Sequence, residues 1–159
     1  MADPGRELWI VDGDNVAHVR GGSELYEQVR ADLVAAVVDH AARAGIETVL
    51  VFDGHGRDTS VGLMRVRFAG AETADTLIER LAHRSQHDHE VTVISSDTVL
   101  RHVAQRGGVQ AMSAREYVDR LAAAPAGDPA PQRPGQRYTV AGSVDEAVRE
   151  ALERMRRGQ

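Results

Sequence analysis

Residues 8–12 read LWIVD, a short apolar run that ends in an aspartate. An uninterrupted apolar run of this length predicts a strand that is buried on both faces. Two later runs, residues 48–52 and 91–94, are equally apolar, and each is followed within three residues by another aspartate. The three runs therefore predict buried strands with a carboxylate at or near the carboxyl end.

Helical periodicity separates these strands along the chain. Helices are predicted at 23–44, with Ser23 as N-cap and Gly45 as the stop, at 73–83, at 98–105, and from Ser113, where Ser113 and Glu116 form a capping box. Two further strands are predicted: a half-exposed one near a sheet edge at 63–68 and a short one at 109–112. Strands that alternate with helices predict an α/β fold with a mainly parallel sheet covered on both faces.

The length of 159 residues suits one domain. We expect that domain to occupy residues 1–123 and a linker to occupy 124–138, because residues 125–134 are rich in proline, alanine and glycine. Residues 139–159 are expected to form a C-terminal amphipathic helix, capped by Ser143 and Glu146 and packed on the same domain. Its apolar side is formed by Val144, Val148, Ala151, Leu152 and Met155.

Composition excludes several kinds of chemistry. The chain has no cysteine, which excludes disulfides, thiolate metal sites and cysteine nucleophiles. All 19 basic residues are arginine, so a P-loop lysine and a Schiff-base lysine are excluded as well. The net charge of −5 is not that of a generally basic nucleic-acid binder, although clustered metal-binding carboxylates would contribute to it. A polar N-terminus and the lack of a long apolar run lead us to expect a cytoplasmic protein.

Four aspartates fall where a parallel sheet would gather them. Asp12, Asp53 and Asp97 lie at or just beyond strand ends, and Asp75 lies in the first turn of a helix. Ligands of such sheets bind at the carboxyl ends of the strands, so we expect the four groups to share one crevice. Each one taken alone has an ordinary explanation as a turn or cap residue. Together, ionised carboxylates repel one another unless a cation joins them, and hard oxygen ligands suit Mg²⁺ or Mn²⁺.

Other polar residues near these aspartates have candidate roles. Asn15 either orients a ligand carboxylate or phosphate, or is a turn residue. Ser96 either binds phosphate or caps the following helix, and local chemistry favours the cap slightly. Arg57, Arg65 and Arg67 either contact a nucleic-acid backbone or are solvated surface residues.

Several motifs carry a family resemblance. The stretches are IVDGDNV at 10–16, VFD at 51–53, FAGAETADTLIE at 68–79, SSD at 95–97 and SARE at 113–116. In this order they resemble the YacP-like NYN branch of the PIN-domain ribonucleases, from about Leu8 to Leu121. Two positions depart from the pattern: Asp14 stands where the family has tyrosine, and Ser95 where it has threonine. Asp14 adds a carboxylate two residues after Asp12, which either joins the site or points elsewhere.

The resemblance implies a PIN-like three-layer α/β/α sandwich with a central, mainly parallel sheet. It implies metal-dependent endonucleolytic cleavage of RNA, with ribosome-associated mRNA as a suggested substrate. By motif it assigns metal binding to Asp12, Asp75 and Asp97, with Asp53 beside them and Asn15 and Ser96 in support.

Two rival functions stay open on the sequence. The first is a haloacid-dehalogenase-like phosphatase, in which Asp12 is the nucleophile and Asp14 the acid of a D-x-D motif. That family also needs a basic residue, usually lysine, and the chain has no lysine. The second is a non-catalytic RNA- or ribosome-binding adaptor, which would bind without cleaving.

Overall fold

A computed structural model describes residues 6–21, 26–123 and 136–157, with side chains of the last segment described from residue 146 onward. The strands are β1 (Glu7–Asp12), β2 (Glu47–Phe52), β3 (Thr59–Val61), β4 (Met64–Phe68), β5 (Glu90–Ile94) and β6 (Gln110–Met112). The helices are α1 (Gly13–Gly21), α2 (Tyr26–Ala44), α3 (Ala74–Ser85), α4 (Thr98–Arg106), α5 (Ala114–Ala122) and α6 (Gln136–Arg157).

The strands form one sheet in the order β3-β4-β2-β1-β5-β6. Every strand pair is parallel except β3 with β4. Helices cover both faces, so the predicted α/β fold with a mainly parallel sheet is confirmed. The order places β1 between β2 and β5, and the carboxyl ends of these three strands lie at one edge of the sheet.

Side chains of β1 alternate between two cores. Trp9 and Val11 belong to a cluster that includes residues of α1, α2, α5 and α6. Leu8 and Ile10 belong to a second cluster with residues of α3 and α4. Since alternate residues of a strand point to opposite faces, the next even-numbered residue, Asp12, points to the α3 side. The side chain of Asp12, the last residue of β1, therefore points toward the N-terminal end of α3.

The structure adds two elements that we did not predict from the sequence. Helix α1 begins directly after β1, where the Asp12-Gly13 pair resembled a turn. Strand β3 pairs with β4 in a tight hairpin, in which Gly62 adopts a φ of 59°. The strand predicted at 63–68 is β4, which alternates buried Met64 and Val66 with arginines beside the edge strand β3.

The C-terminal helix also differs from its predicted start. Helix α6 begins at Gln136, so Ser143 lies inside it and not at its N-cap. Val148, Ala151 and Met155 are buried, and α6 packs on α2 and β3. The predicted cap at Ser23 and the linker at 125–134 lie outside the described residues. Across the portion that is described, no helix combines the length and the apolar character needed to cross a membrane.

Candidate active site

Asp12 is the most enclosed acid at the carboxyl edge of the sheet, with 3% of its surface exposed. Its Oδ2 accepts a hydrogen bond of 3.0 Å from Ser95 Oγ, and its Oδ1 accepts one of 3.4 Å from the backbone N–H of Asn15. The second bond places Asp12 in the position of an N-cap for α1. Asp12 is therefore held by the strand it ends and by the helix that follows.

Gly13 makes the direct passage from β1 into α1 possible. A Cβ at this position would lie 2.6 Å from the ring of Phe52 and 2.9 Å from the carbonyl oxygen of Val51. Only glycine fits that close approach of helix to strand. The junction consequently has no loop in which Asp12 could shift.

Ser95 connects two of the aspartates. The serine is fully buried, donates to Asp12, and accepts a hydrogen bond of 3.0 Å from the backbone N–H of Asp97. The serine predicted from the sequence was its neighbour Ser96, whose side chain is exposed and whose backbone N–H donates to Asn15 Oδ1 at 2.8 Å. The hydroxyl that faces Asp12 is therefore that of Ser95, and Ser96 meets Asn15 through its backbone.

The register of the sheet explains this arrangement. Ile10 is paired with Val93 of β5, so Asp12 lies opposite Ser95 two residues further along. All four side chains point to the α3 side of the sheet. Ser95, and not Ser96, therefore follows from the alternation of side chains along β5 once the register with β1 is known.

Asp53 and Asp14 extend the cluster toward β2. Asp53 Oδ1 accepts a hydrogen bond of 2.8 Å from the backbone N–H of Ala74, the first residue of α3. The backbone N–H of Asp53 in turn donates to Asp14 Oδ2 at 2.7 Å, and the Tyr26 hydroxyl donates to the other carboxylate oxygen of Asp14. The sequence left open whether Asp14 joins the cluster, and the structure places it in α1 beside Asp53.

Asp75 and Asp97 complete the cluster from two helix N-termini. Asp75 lies in the first turn of α3, after the N-cap Thr73. Asp97 is the N-cap of α4, and its Oδ1 accepts hydrogen bonds from the backbone N–H groups of Val99 at 2.9 Å and Leu100 at 3.2 Å. The two carboxyl groups are neighbours that raise one another's energy when both are charged.

Burial and like charge both act on these acids. Burial raises the pKa of Asp12 to about 6, and Asp75 and Asp14 add to that rise against the hydrogen bonds from Ser95 and Asn15. The pKa of Asp14 is raised by burial and by the charge of Asp53. The pKa of Asp75 is raised by burial and by the charges of Asp97 and Asp53. The structure thus brings together the four aspartates singled out from the sequence, and adds Asp14.

The chemistry of this donor set fits a hard divalent cation, because carboxylate oxygens are the ligands that Mg²⁺ and Mn²⁺ take. A cation would also relieve the repulsion among these carboxylates, which adds to burial in raising their pKa values. Among residues 6–21, 26–123 and 146–157, no group of three or more acidic or histidine side chains is close enough together to hold a metal ion.

The three arginines predicted from the sequence do not act as one group. Arg57 is exposed between β2 and β3, and Arg67 forms a 3.0 Å ion pair with Asp58. Arg65 and Arg67 line a cleft of about 270 Å³ between β4 and α3, together with Arg84 and the apolar Leu8 and Leu81. Arg67 shares a row across the sheet with Val51 and Asp12, but the residues that line this cleft include none of the cluster.

Comparison with known proteins is consistent with the fold. A crystal structure of Rae1 (YacP) from Bacillus subtilis superposes with a TM-score of 0.58 at 22% sequence identity, covering 96% of this chain and 95% of that one. A tryptophan-to-leucine mutant of the same protein gives a TM-score of 0.61 at 21% identity, covering 94% of this chain and 91% of that one. None of the curated proteins compared matches the chain.

These structures have the same α/β fold as this chain. The family model described as the YacP-like NYN domain matches residues 9–157, which includes β1, the aspartate cluster and α6. The chain belongs to the YacP-like NYN domain family.

Proposed function

We propose that the protein is a metal-dependent endoribonuclease that hydrolyses RNA phosphodiester bonds at the aspartate cluster. The observation that carries the proposal is the convergence of Asp12, Asp14, Asp53, Asp75 and Asp97 on one sheet edge, in a chain of the NYN family. A cluster with this much like charge is costly to a fold, and a bound cation removes that cost.

Asp12, Asp75 and Asp97 are the proposed ligands of Mg²⁺ or Mn²⁺. The ion, when bound, supplies neutralisation of phosphate charge and a water of lowered pKa. Ser95 and the backbone N–H of Asn15 fix the orientation of the Asp12 carboxylate. Asp53 fixes the start of α3, and with it the position of Asp75. At neutral pH Asp12 is ionised, since its pKa lies near 6.

RNA is the proposed substrate class because of the family. The further proposal that the substrate is mRNA on the ribosome rests on the same resemblance. Hydrolysis by an activated water is expected to leave a 5′-phosphate, which distinguishes it from attack by the neighbouring 2′-hydroxyl of RNA.

The test is cleavage of an end-labelled single-stranded RNA with Mg²⁺, with Mn²⁺ and with EDTA. Asp97→Asn and Asp75→Asn are each expected to slow cleavage by about a hundredfold or more, as the loss of a group that stabilises transition-state charge does. Asp39→Asn is the matched control, because Asp39 is an exposed aspartate of α2 that pairs with Arg43, away from the cluster. Cleavage that persists in EDTA, or that survives both cluster substitutions, would overturn the proposal.

The same experiment separates the rival functions. An adaptor would bind the RNA and leave it intact with either metal. A phosphatase would hydrolyse a small phosphate ester in a manner dependent on Asp12 and Asp14. The family match and the structural likeness give no support to the phosphatase.

A further inference from the structure

An aromatic and cationic pair borders the aspartate cluster at the start of α2. Tyr26 is the first residue of α2, and 42% of its surface is exposed. Its hydroxyl donates to Asp14, which is itself bound to the backbone of Asp53. The ring is therefore anchored at the rim of the cluster while much of its surface stays open to solvent.

Arg30, one helical turn further along α2, is fixed by aromatic rings. Its guanidinium lies 4.8 Å from the ring centroid of Tyr26, 4.8 Å from that of Phe52 and 5.9 Å from that of Phe68. The guanidinium of Arg30 thus lies between the exposed ring of Tyr26 and the rings of Phe52 and Phe68 at the edge of the core. Cation–π contacts of this kind hold a guanidinium in one place without using its hydrogen-bond donors.

The two terminal nitrogens of Arg30 form no hydrogen bond with the described residues, so they are the donors that a ligand can use. Its Nε is buried without a hydrogen-bond partner among those residues and is closed to a ligand. In the same part of the chain no carboxylate lies within ion-pair distance of Arg30, although its charge lowers the pKa of Asp14. A fixed cation with free donors, beside carboxylates that repel phosphate, is suited to bind a phosphate group.

The exposed surface of the Tyr26 ring is suited to a base of the same nucleic acid whose phosphate Arg30 would bind. Proteins that bind single-stranded nucleic acid stack bases on exposed aromatic rings and contact the backbone with arginine. Tyr26 and Arg30 place an exposed aromatic ring and a guanidinium next to each other, at the border of the aspartate cluster.

We propose that Tyr26 and Arg30 form a subsite for one nucleotide of single-stranded RNA next to the scissile bond. The base stacks on the exposed surface of the Tyr26 ring, and the guanidinium of Arg30 binds a phosphate. This inference rests on the proposed function for the identity of the substrate as RNA.

The experiment measures binding and not cleavage. The full chain with Asp97→Asn, in Mg²⁺, is titrated into a fluorescein-labelled single-stranded RNA at several salt concentrations, and affinity is followed by fluorescence anisotropy. A second RNA carries 2-aminopurine at alternate positions, and quenching of its fluorescence reports stacking on an aromatic ring.

Four substitutions in that background separate the contributions. Tyr26→Leu is expected to weaken binding by about tenfold and to reduce the quenching, since stacking on one ring contributes on that scale. Tyr26→Phe keeps the ring and loses the bond to Asp14, and is expected to bind within about twofold of its parent. Arg30→Met is expected to weaken binding and lower the slope of log affinity against log salt by about 0.7 to 1. Arg43→Met, at the other end of α2, is the matched control and is expected to change neither.

Two results would overturn the subsite: Tyr26→Leu binding like its parent, or Tyr26→Phe losing as much affinity as Tyr26→Leu. The salt dependence of Arg30→Met tests the phosphate contact separately, and an unchanged slope would refute that contact. Failure of the proposed nuclease function looks different, because wild-type protein would then leave RNA intact with either metal while these binding differences remained.

Discussion

Asp12 is a buried acid at the end of the central strand, and its raised pKa makes the free energy of unfolding depend on pH. The pKa of the folded protein, about 6, exceeds the ordinary value of 3.8. Because the folded state holds the proton of Asp12 more tightly than the unfolded chain does, the contribution of Asp12 to the free energy of unfolding is greatest below about pH 4. That contribution is lost as the pH rises through 6.

We predict that Asp12→Asn removes this pH dependence. In EDTA, the wild-type free energy of unfolding is expected to fall relative to the variant by roughly 3 kcal/mol between pH 4 and pH 7. Urea unfolding at several pH values measures the difference, and the comparison cancels the other acids of the chain. A difference that stays constant with pH would show that Asp12 is not the responsible group.

The two adjacent serines are predicted to behave unequally. Ser95→Ala removes the hydroxyl between Asp12 and the backbone of Asp97, which is expected to cost about 1–3 kcal/mol of stability and to slow cleavage. Ser96→Ala removes an exposed hydroxyl and is expected to change stability by less than about 0.5 kcal/mol. Unfolding and cleavage assays on both variants decide the matter, and equal effects would contradict the assignment.

The same pair shows a limit of prediction from one sequence. Because β5 is apolar on both faces, the alternation of side chains leaves no visible pattern of polar and apolar residues. Which serine points inward depends on the register with β1, and the apolar sequence gives no indication of that register. The aspartates were easier to find, because a carboxylate that ends a buried strand contrasts with the residues before it.

At the scale of elements, α1 illustrates how tertiary contacts decide a helix. Gly13, Asp14 and Asn15 are poor helix formers, and their pattern favours a turn. The helix forms because Val16 and Ala17 are buried against the sheet and because Asp12 accepts from the Asn15 backbone. Strand β3 escaped prediction for another reason: three residues are too few to show an alternation.

Helix α4 allows charge and capping to be separated. Asp97 both caps α4 and belongs to the aspartate cluster. Asparagine caps a helix as well as aspartate does, whereas alanine does not. We therefore predict that Asp97→Asn leaves stability within about 0.5 kcal/mol of wild type, while Asp97→Ala costs about 1 kcal/mol.

Both Asp97 variants are expected to lose cleavage. Urea unfolding in EDTA gives the stability of each, and the RNA assay gives the activity. If Asp97→Asn were as unstable as Asp97→Ala, its lost activity would reflect a damaged helix and the cluster would need other evidence.

At the scale of the whole molecule, α6 closes the core on the side away from α3. Met155 and Val148 belong to the same buried cluster as Trp9 and Leu33. We predict that Met155→Ala costs about 2–5 kcal/mol of stability, the range for truncation of a buried methionine. Arg156→Ala, on the exposed side of α6, is the control and should be nearly neutral, as thermal unfolding of both variants would show.

A small effect of Met155→Ala would instead indicate that α6 contributes little to the folded domain. The sequence predicted the apolar side of α6 correctly at Val148, Ala151 and Met155, because these residues repeat with helical spacing. Its start could not be predicted in the same way, since the stretch from Gln136 offers several polar residues able to cap and Ser143 was only the most typical of them.

The absence of a loop between β1 and α1 has a consequence for how the protein can diverge. Asp12 moves only if the central strand moves, so we expect its amide to exchange with deuterated solvent among the slowest in the chain. Tyr26 lies at the start of a helix outside the sheet and is partly exposed, so it is less constrained. Sequence change can therefore alter the proposed RNA subsite at Tyr26 while Asp12, the proposed metal ligand, stays in place.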